Sequence, residues 1–466
     1  MISMLKIFNT LTKKKEVFSS IIPGIVNIYV CGVTVHDLCH IGHARTFIIF
    51  DIIIRYFNFK GYRVNYIRNI TDIEDKIIYQ SIKNNETISM FTNRMISEMH
   101  KDFSLLHILC PNKEPRMTEY INEIIKFIMG LLQKKFAYIS DDGDVMFAIS
   151  SYTKYGMLSH QDFTKFHLNY SRNIHSQKKY NFMDFVLWKI SRYNEFGWPS
   201  PWGHGRPGWH IGCSTMSISQ LGCHFDIHGG GSDLIFPHHE NEIAQSVSLY
   251  GSPYVNVWIH IGLVTMRKKK ISKSLQNFLT LRNIMKFYDW EVIRYFLISA
   301  HYRKPLEYTE SSLNNACISL NRLYISLLGM NKNVIPLDNS KHYLKKFCIA
   351  MNDDFNVSKA FSILFDISHQ INKLKVDDFK KAQEMAARLR QLAKVLGLLQ
   401  QDPEIFLRKE NIKKMQKHGN EIEMLIQERN RARAFQKWGL ADKIRKNLSD
   451  IGIILEDTEH GTIWRR

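Results

Sequence analysis

The stretch from Val26 to Asp75 constrains the fold of this chain more than any other. It opens with an apolar run (Val26, Ile28, Tyr29, Val30, Cys31), turns at Gly32, and reaches His40, Ile41, Gly42 and His43 just as a helical pattern begins. Phe47, Ile48, Phe50, Ile52, Ile53, Ile54 and Phe57 give that helix a buried face, and Gly61 stands where a left-handed residue would end it. A second β-branched and aromatic run, Val64 to Thr71, follows. The pattern predicts a strand, a crossover helix and a parallel strand, with both histidines at the helix N-terminus. Backbone N–H groups and the positive end of the helix dipole favour phosphate there, so the imidazoles are placed to hold a nucleoside triphosphate.

At 466 residues the chain exceeds what one core usually supports, and 45% hydrophobic residues suffice for two to four domains. The net charge of +19 fits a phosphate-bearing partner, and fits equally well a set of lysine-rich solvated faces. Seven scattered cysteines, closely spaced only at Cys31 and Cys39, argue for reduced thiols and a cytoplasmic setting rather than a disulfide framework. Met1 to Glu16 lacks a continuous apolar core and carries Lys13, Lys14 and Lys15, which is unlike a secretory segment; Met4 is an alternative start. No run reaches the roughly 20 apolar residues of a membrane span.

Further along, one helix is expected after Asp72, running through Met99, Phe103 and Leu106, and another from about Thr118 to Lys135. Alternation at Ala137–Ile139 and Val145–Ile149 around Asp141, Asp142 and Gly143 predicts a hairpin. Ser151 to about Ser200 is polar and basic. A Gly-, His- and Trp-rich stretch follows from Trp202, with Pro237 at an expected first helical position and a strand at Val255–Ile261. From Trp290 to Gln400 nearly everything has helical periodicity, and the tail from Glu421 reads as two helices and two short strands.

The segment Cys31 to His43 resembles the HIGH motif of class I aminoacyl-tRNA synthetases, in the version of the cysteinyl-tRNA synthetases. The resemblance continues through Asn69–Asp72, Gly205–His210, Gly229–Glu242 and Lys270–Ser274, five motifs in the family's order over essentially the whole chain. It implies an α/β Rossmann-like nucleotide-binding catalytic domain with an inserted connective segment, then an α-helical bundle and a small C-terminal α+β anticodon-binding domain. The expected divisions are 1–110 and 201–305 for the catalytic halves, 111–200 for the insertion, 306–400 for the bundle and 401–466 for the anticodon-binding domain. The implied activity is that of a cysteine–tRNA ligase acting on L-cysteine, ATP with Mg2+ and tRNA(Cys), as a monomer without membrane attachment. Transfer to the terminal ribose by a class I enzyme uses the 2′-hydroxyl.

Cys31, Cys213, His238 and Glu242 each sit at a predicted strand end or helix start, where an open sheet gathers its site. His238 and Glu242, four apart on one helix, share a face. Two thiolates, an imidazole and a carboxylate make a zinc set. By spacing alone such cysteines are more often small core residues; the resemblance matches all four to the family's single zinc, which selects the substrate thiolate, and matches Cys31, Thr71 and Trp209 to the amino-acid pocket. It assigns ATP to His40, Gly42, His43, Gly230, Asp233 and Lys273, with Lys270 and Lys273 in a KMSKS-like loop that neutralises the leaving pyrophosphate. Arg433, Trp438, Asp442 and Asp457 match anticodon contacts; without the resemblance they describe a surface helix with a buried tryptophan.

The chain departs from the family pattern at Gly212 for glutamate, His36 for tyrosine, Phe182 for proline and Gln276 for glycine. Gly212 bears on specific activity most, because a carboxylate beside Cys213 would belong to the surroundings of the metal. Two other readings share these motifs. One is a ligase joining cysteine to an amino sugar, which would lack the tail; the other is a non-catalytic paralogue binding tRNA or zinc, against which the intact His40, His43, Lys270 and Lys273 argue.

Overall fold

The computed structural model describes residues 4–161, 183–192, 195–266, 269–270, 280–336, 340–450, 453–458 and 461–465. A hairpin of β1 (Lys6–Asn9) and β2 (Lys14–Val17) leads into β3 (Ile25–Thr34), α1 (Ile41–Phe59) and β4 (Arg63–Thr71). β3 and β4 pair in parallel, as the apolar pattern predicts. α1 is buried along most of its length because Ile and Phe occupy nearly every inward position, and Gly61, at φ +89°, turns the chain back toward β4. Where one helix is expected after Asp72 there are two, α2 (Asp75–Lys83) and α3 (Ile88–Leu105). Asn85 at φ 56° breaks the run, and Thr87 caps α3 by accepting the Met90 N–H.

A short 3₁₀ turn at Met117–Tyr120 precedes α4 (Ile121–Gln133). The insertion then builds an antiparallel sheet of β5 (Ala137–Ile139), β6 (Val145–Phe147), β7 (Phe185–Ile190) and β8 (Gly205–Pro207), in that order. β5 and β6 form the expected hairpin, and β8 still belongs to this sheet although the Gly- and Trp-rich stretch has begun. α5 (Ile211–Leu221), β9 (Phe225–Gly231), α6 (Glu240–Tyr250) and β10 (Val255–Ile261) complete the catalytic half. The central sheet runs β10-β9-β3-β4, all parallel, so the strand C-termini share one edge. Phe236 is not helical (φ −136°, ψ 133°), so the helical run carrying His238 and Glu242 starts at Pro237.

β11 (Val264–Met266) pairs with β12 (Lys269–Lys270) and with β13 (Leu306–Glu307); α7 (Leu281–Met285) and α8 (Trp290–Ile298) lie between them in sequence. The helices α9 (Glu310–Ser326), α10 (Lys341–Asn352), α11 (Val357–Asp377) and α12 (Phe379–Val395) share one continuous apolar core with α1 and α8. The first tail helix starts well before Glu421: α13 runs Pro403–Ala434, with Asp402 capping it and Pro403 at its first position. α14 (Trp438–Asp450) and the hairpin β14 (Ile454–Thr458) with β15 (Gly461–Arg465) close the chain around a small separate core of Ile426, Ile444, Leu448, Ile453 and Leu455. No helix among the described residues is long and apolar enough to cross a membrane.

Candidate active site and metal centre

The site lies at the C-terminal edge of the parallel sheet, where loops leaving β3, β4 and β9 meet the starts of α1, α5 and the Pro237 helix. At the end of β3 the pairing with β4 shifts register between Val30 and Val33, a bulge that re-aims Cys31. Only glycine fits next: a Cβ on Gly32 would sit 1.6 Å from the Asn69 carbonyl oxygen, while the Gly32 N–H donates to Asn69 Oδ1 at 2.9 Å. Asn69 also donates to Thr71 Oγ1 at 3.3 Å, holding the threonine at the pocket wall.

Cys31, Cys213, His238 and Glu242 are all buried, and one donor atom from each lies within 4.8 Å of every other. Cys31 Sγ donates to Glu242 Oε1 at 3.3 Å, and His238 Nε2 is 3.1 Å from the same oxygen. Burial pushes the Cys31 thiol well up, and the hydrogen bond from Cys31 pulls the Cys213 thiol down to about 6. Burial opposes a charge on His238, but the Cys213 thiolate and Glu242 raise it to about 10; against burial, His228 and His238 keep Glu242 well below the usual carboxylate range. Two soft thiol donors, an imidazole and a carboxylate converge here within 4.8 Å of one another, and this donor set fits a zinc-type ion. A second set, Cys31, His228, His239 and Glu242, meets the same distance test. His228 and His239 lie deeper, fully buried, whereas Cys31, Cys213 and His238 line the open cleft, so the first set is the one a substrate can reach.

Residues that motif reading left without a role form the surroundings of this set. His228 Nε2 bonds Glu242 Oε2 at 2.9 Å, His210 Nδ1 bonds His238 Nδ1 at 2.8 Å, and His239 links through His260 (2.7 Å) to Thr10 (2.8 Å). His210 and His239 lie inside the motif segments Gly205–His210 and Gly229–Glu242, whereas His228 and His260 lie outside them, and only folding reveals which imidazole faces which donor. Trp209 stacks obliquely on His238, ring centroids 4.7 Å apart, and at 41% exposure forms an open wall of the cleft.

The cleft, about 450 Å³, also takes in Thr71, His40, Gly42, His43, Gly231 and Asp233. His40 is the N-cap of α1 and accepts the N–H groups of Gly42 (3.1 Å) and His43 (3.3 Å); the two imidazoles stack at 3.7 Å. Gly231 lines the cleft, whereas a Cβ on Gly230 would meet Leu234 and His239, so Gly230 serves the packing beneath. Lys270 is placed by its backbone, paired with Thr265; Lys273, Gln276 and Phe182 lie outside the described residues. Thr280, beyond Lys273 in sequence, bridges His40, and the Leu281 N–H donates to the Cys39 carbonyl at 3.1 Å. His36 lines the cleft with its Nδ1 3.0 Å from the Thr34 carbonyl. A larger cleft, about 890 Å³, lies between α2, α3 and the insertion, away from these donors.

In the tail, Arg433 and Asp457 pair with one another at 2.8 Å, and Asp457 also binds Arg429 at 2.7 Å. Asp442 and Trp438 are exposed on α14, Trp438 at 57%.

Residues 17–318 match the family described as tRNA synthetases class I (C) catalytic domain, and residues 346–400 match the DALR domain. Among solved structures, Mycobacterium tuberculosis methionyl-tRNA synthetase in complex with methionyl-adenylate shares the fold at a TM-score of 0.58 and 14% identity, over 80% of this chain and 89% of that one. The parallel sheet with a histidine-capped helix at its C-terminal edge is thus the catalytic fold of a class I aminoacyl-tRNA synthetase. Cysteine–tRNA ligases of Baumannia cicadellinicola subsp. Homalodisca coagulata and Sodalis glossinidius (strain morsitans) are 56% and 54% identical, each over 99% of this chain and 100% of its own length. The chain belongs to the cysteine–tRNA ligase family.

Proposed function

We propose that this chain activates L-cysteine with ATP and transfers it to tRNA(Cys), with one zinc ion selecting the amino acid. The observation that carries the reading is the convergence of four metal donors, three of which (Cys31, Cys213 and His238) line the cleft whose rim is the N-terminus of α1. Cys31, Cys213, His238 and Glu242 would hold the ion. Bound there, zinc supplies an acceptor for a substrate thiolate that the hydroxyl of serine cannot match at neutral pH, giving discrimination that a merely apolar pocket lacks.

The chain's own groups do the rest. Trp209 and Thr71 border the amino acid so that its carboxylate faces the nucleotide. The start of α1, with His40, Gly42 and His43, receives the phosphates of ATP, and Asp233 receives the ribose. Attack of the carboxylate on the α-phosphorus yields cysteinyl-adenylate and pyrophosphate. Lys270 and Lys273 neutralise the leaving pyrophosphate, Mg2+ accompanies the nucleotide, and no side chain forms a covalent bond. The tRNA 3′-terminal ribose then takes the cysteinyl group. The tail supports tRNA as the acceptor over an amino sugar, and Trp438 on α14 offers a face on which an anticodon base stacks.

ATP–pyrophosphate exchange with cysteine and with serine tests this reading. Exchange is expected with cysteine only, in protein containing one zinc per chain, and Cys213→Ser should lose zinc together with the preference. Zinc-free protein of full activity and selectivity would overturn it. Charging of tRNA(Cys) separates a tRNA ligase from a sugar ligase.

A further inference from the structure

Cys213 sits on the first turn of α5, which no side chain caps. The N-cap, His210, is in the αR region (φ −89°, ψ −30°) and makes no side-chain capping bond. Position 212 is glycine, so the residue beside the thiol brings no side chain to hold the turn. What stands in its place is Met117. An ideal Cβ on Gly212 would lie 2.9 Å from Met117 Sδ and 3.0 Å from both its Cε and Cγ, closer than packed atoms come. Met117 is 1% exposed and belongs to the same buried cluster as Cys31, Ile211 and Cys213.

The 3₁₀ turn that carries Met117 is itself firmly held. The Thr118 N–H donates to Asp72 Oδ1 at 3.0 Å and its hydroxyl to Asp72 Oδ2 at 2.6 Å, while the Ile70 N–H donates to the Pro115 carbonyl at 2.9 Å. At the far end of α5, Gln220 donates to the Tyr120 hydroxyl. Through Met117 and Tyr120 the turn meets α5 near both its ends and ties it to the end of β4, where Thr71 lines the pocket.

We propose that Met117 is a positioning residue for Cys213: its thioether occupies the volume that a side chain at 212 would take, and the two positions act as one unit that sets the thiol against the other three donors. This rests on the reading of the metal centre given above. A change of volume at either position is felt at the other: a side chain at 212 must displace the Met117 thioether, and truncating Met117 leaves a void behind the first turn of α5, whereas Leu keeps the volume.

The test uses the full-length protein and four variants: Met117→Ala, Met117→Leu, Gly212→Glu and the Met117→Ala/Gly212→Glu pair. Zinc affinity is read by competition with a chromogenic chelator, donor geometry by the thiolate-to-metal and d–d bands of the Co2+-loaded protein, and substrate binding by the KM values for cysteine and ATP in pyrophosphate exchange. Met117→Ala is expected to weaken zinc by about tenfold or more, as loss of a residue that orients a ligand does, to alter the cobalt bands, and to raise the cysteine KM while the ATP KM stays put. Met117→Leu should retain the parent values. Gly212→Glu alone should resemble Met117→Ala, and the pair should recover zinc affinity beyond either single variant. Circular dichroism and urea midpoints confirm folding; if Met117→Ala does not fold, Met117→Val takes its place.

Parental zinc affinity, cobalt spectrum and cysteine KM in a folded Met117→Ala protein would overturn the proposal, as would strictly additive effects in the pair. A parent protein that takes up no zinc overturns the metal-centre reading instead. The cysteine KM across the same variants then decides the coupling by itself.

Discussion

Arg45 illustrates how one residue can hold a site without touching its chemistry. It lies on α1, two positions after His43, almost fully buried, and its guanidinium donates to the carbonyls of Lys304 (2.6 Å), Gly262 (2.8 Å), Leu263 (3.1 Å) and His301 (3.5 Å). Burial lowers its pKa only to about 10, so the charge persists at neutral pH. Gly262 and Leu263 line the cleft, and the arginine thereby joins the helix that would receive phosphate to the opposite wall. Arg45→Met keeps the volume and removes every donor. With each orphaned buried carbonyl costing about 1–3 kcal/mol, urea unfolding should show a loss of about 3 kcal/mol or more. A loss below about 1 kcal/mol would mean that the carbonyls find other partners.

Between elements, buried polar groups fix how the helices meet. Asp51 of α1 pairs with Arg294 of α8, which also donates to the Leu396 carbonyl at 2.8 Å; a Cβ on Gly397 would collide with the guanidinium at 2.4 Å. Three residues earlier on α8, Glu291 is fully buried, accepting the Gln400 N–H at 2.8 Å and the Tyr324 hydroxyl, with Asp289 and Arg294 the charged groups nearby. Burial raises its pKa from an ordinary 4.5 to about 7, against those two hydrogen bonds. The folded state therefore holds this proton more tightly than the unfolded chain. Glu291 costs no stability at pH 4 and progressively more from pH 4.5 to about 7, the cost levelling off above that range near 3 kcal/mol at about 1.4 kcal/mol per pKa unit. Glu291→Gln mimics the protonated form. The variant should match the parent in urea midpoint at pH 4.5 and exceed it at pH 8; a constant difference across that range would show that Glu291 does not titrate there.

On the scale of the whole molecule, one large core joins the catalytic sheet to the helices α8–α12, while the tail carries a small core of its own. Arg429, 3% exposed in its side chain, fastens the terminal hairpin to α13 through Asp457 at 2.9 and 2.7 Å. The Arg429 hydrogen bond holds the Asp457 carboxyl well below the usual carboxylate range, which favours the ionised pair at neutral pH. Arg429→Met should loosen the hairpin without reaching the cleft. Pyrophosphate exchange is expected to stay within about twofold of the parent while the KM for tRNA rises about tenfold, roughly 1.4 kcal/mol. Equal loss in both assays would mean that tail and catalytic body are coupled.

Much of this was legible in the chain itself. The run from Val26 to Thr71 specified a parallel strand–helix–strand unit, because apolar spacing and two glycines leave few alternatives. The motif residues Cys31, His40, His43, Cys213, His238 and Glu242 stand out through the resemblance to the cysteinyl-tRNA synthetases; spacing alone does not single out the cysteines. The expected single helix after Asp72 is two because Asn85 takes the positive φ that asparagine tolerates at a helix end and Thr87 caps the next helix, a local signal that the apolar periodicity running through both helices overrides in a reading by pattern; the start of α13 at Pro403 was obscured by a polar stretch lacking a clear apolar stripe. Other features needed three dimensions. Arg433 and Asp457 are 24 positions apart, and nothing along the chain says that they bind each other. Likewise Gly212 reads as a missing carboxylate until Met117, from a distant turn, is found in the vacated volume. Residue type and local periodicity determine which elements form and which groups are capable of chemistry; which of those groups face one another depends on contacts between distant segments, and only the packed fold decides it.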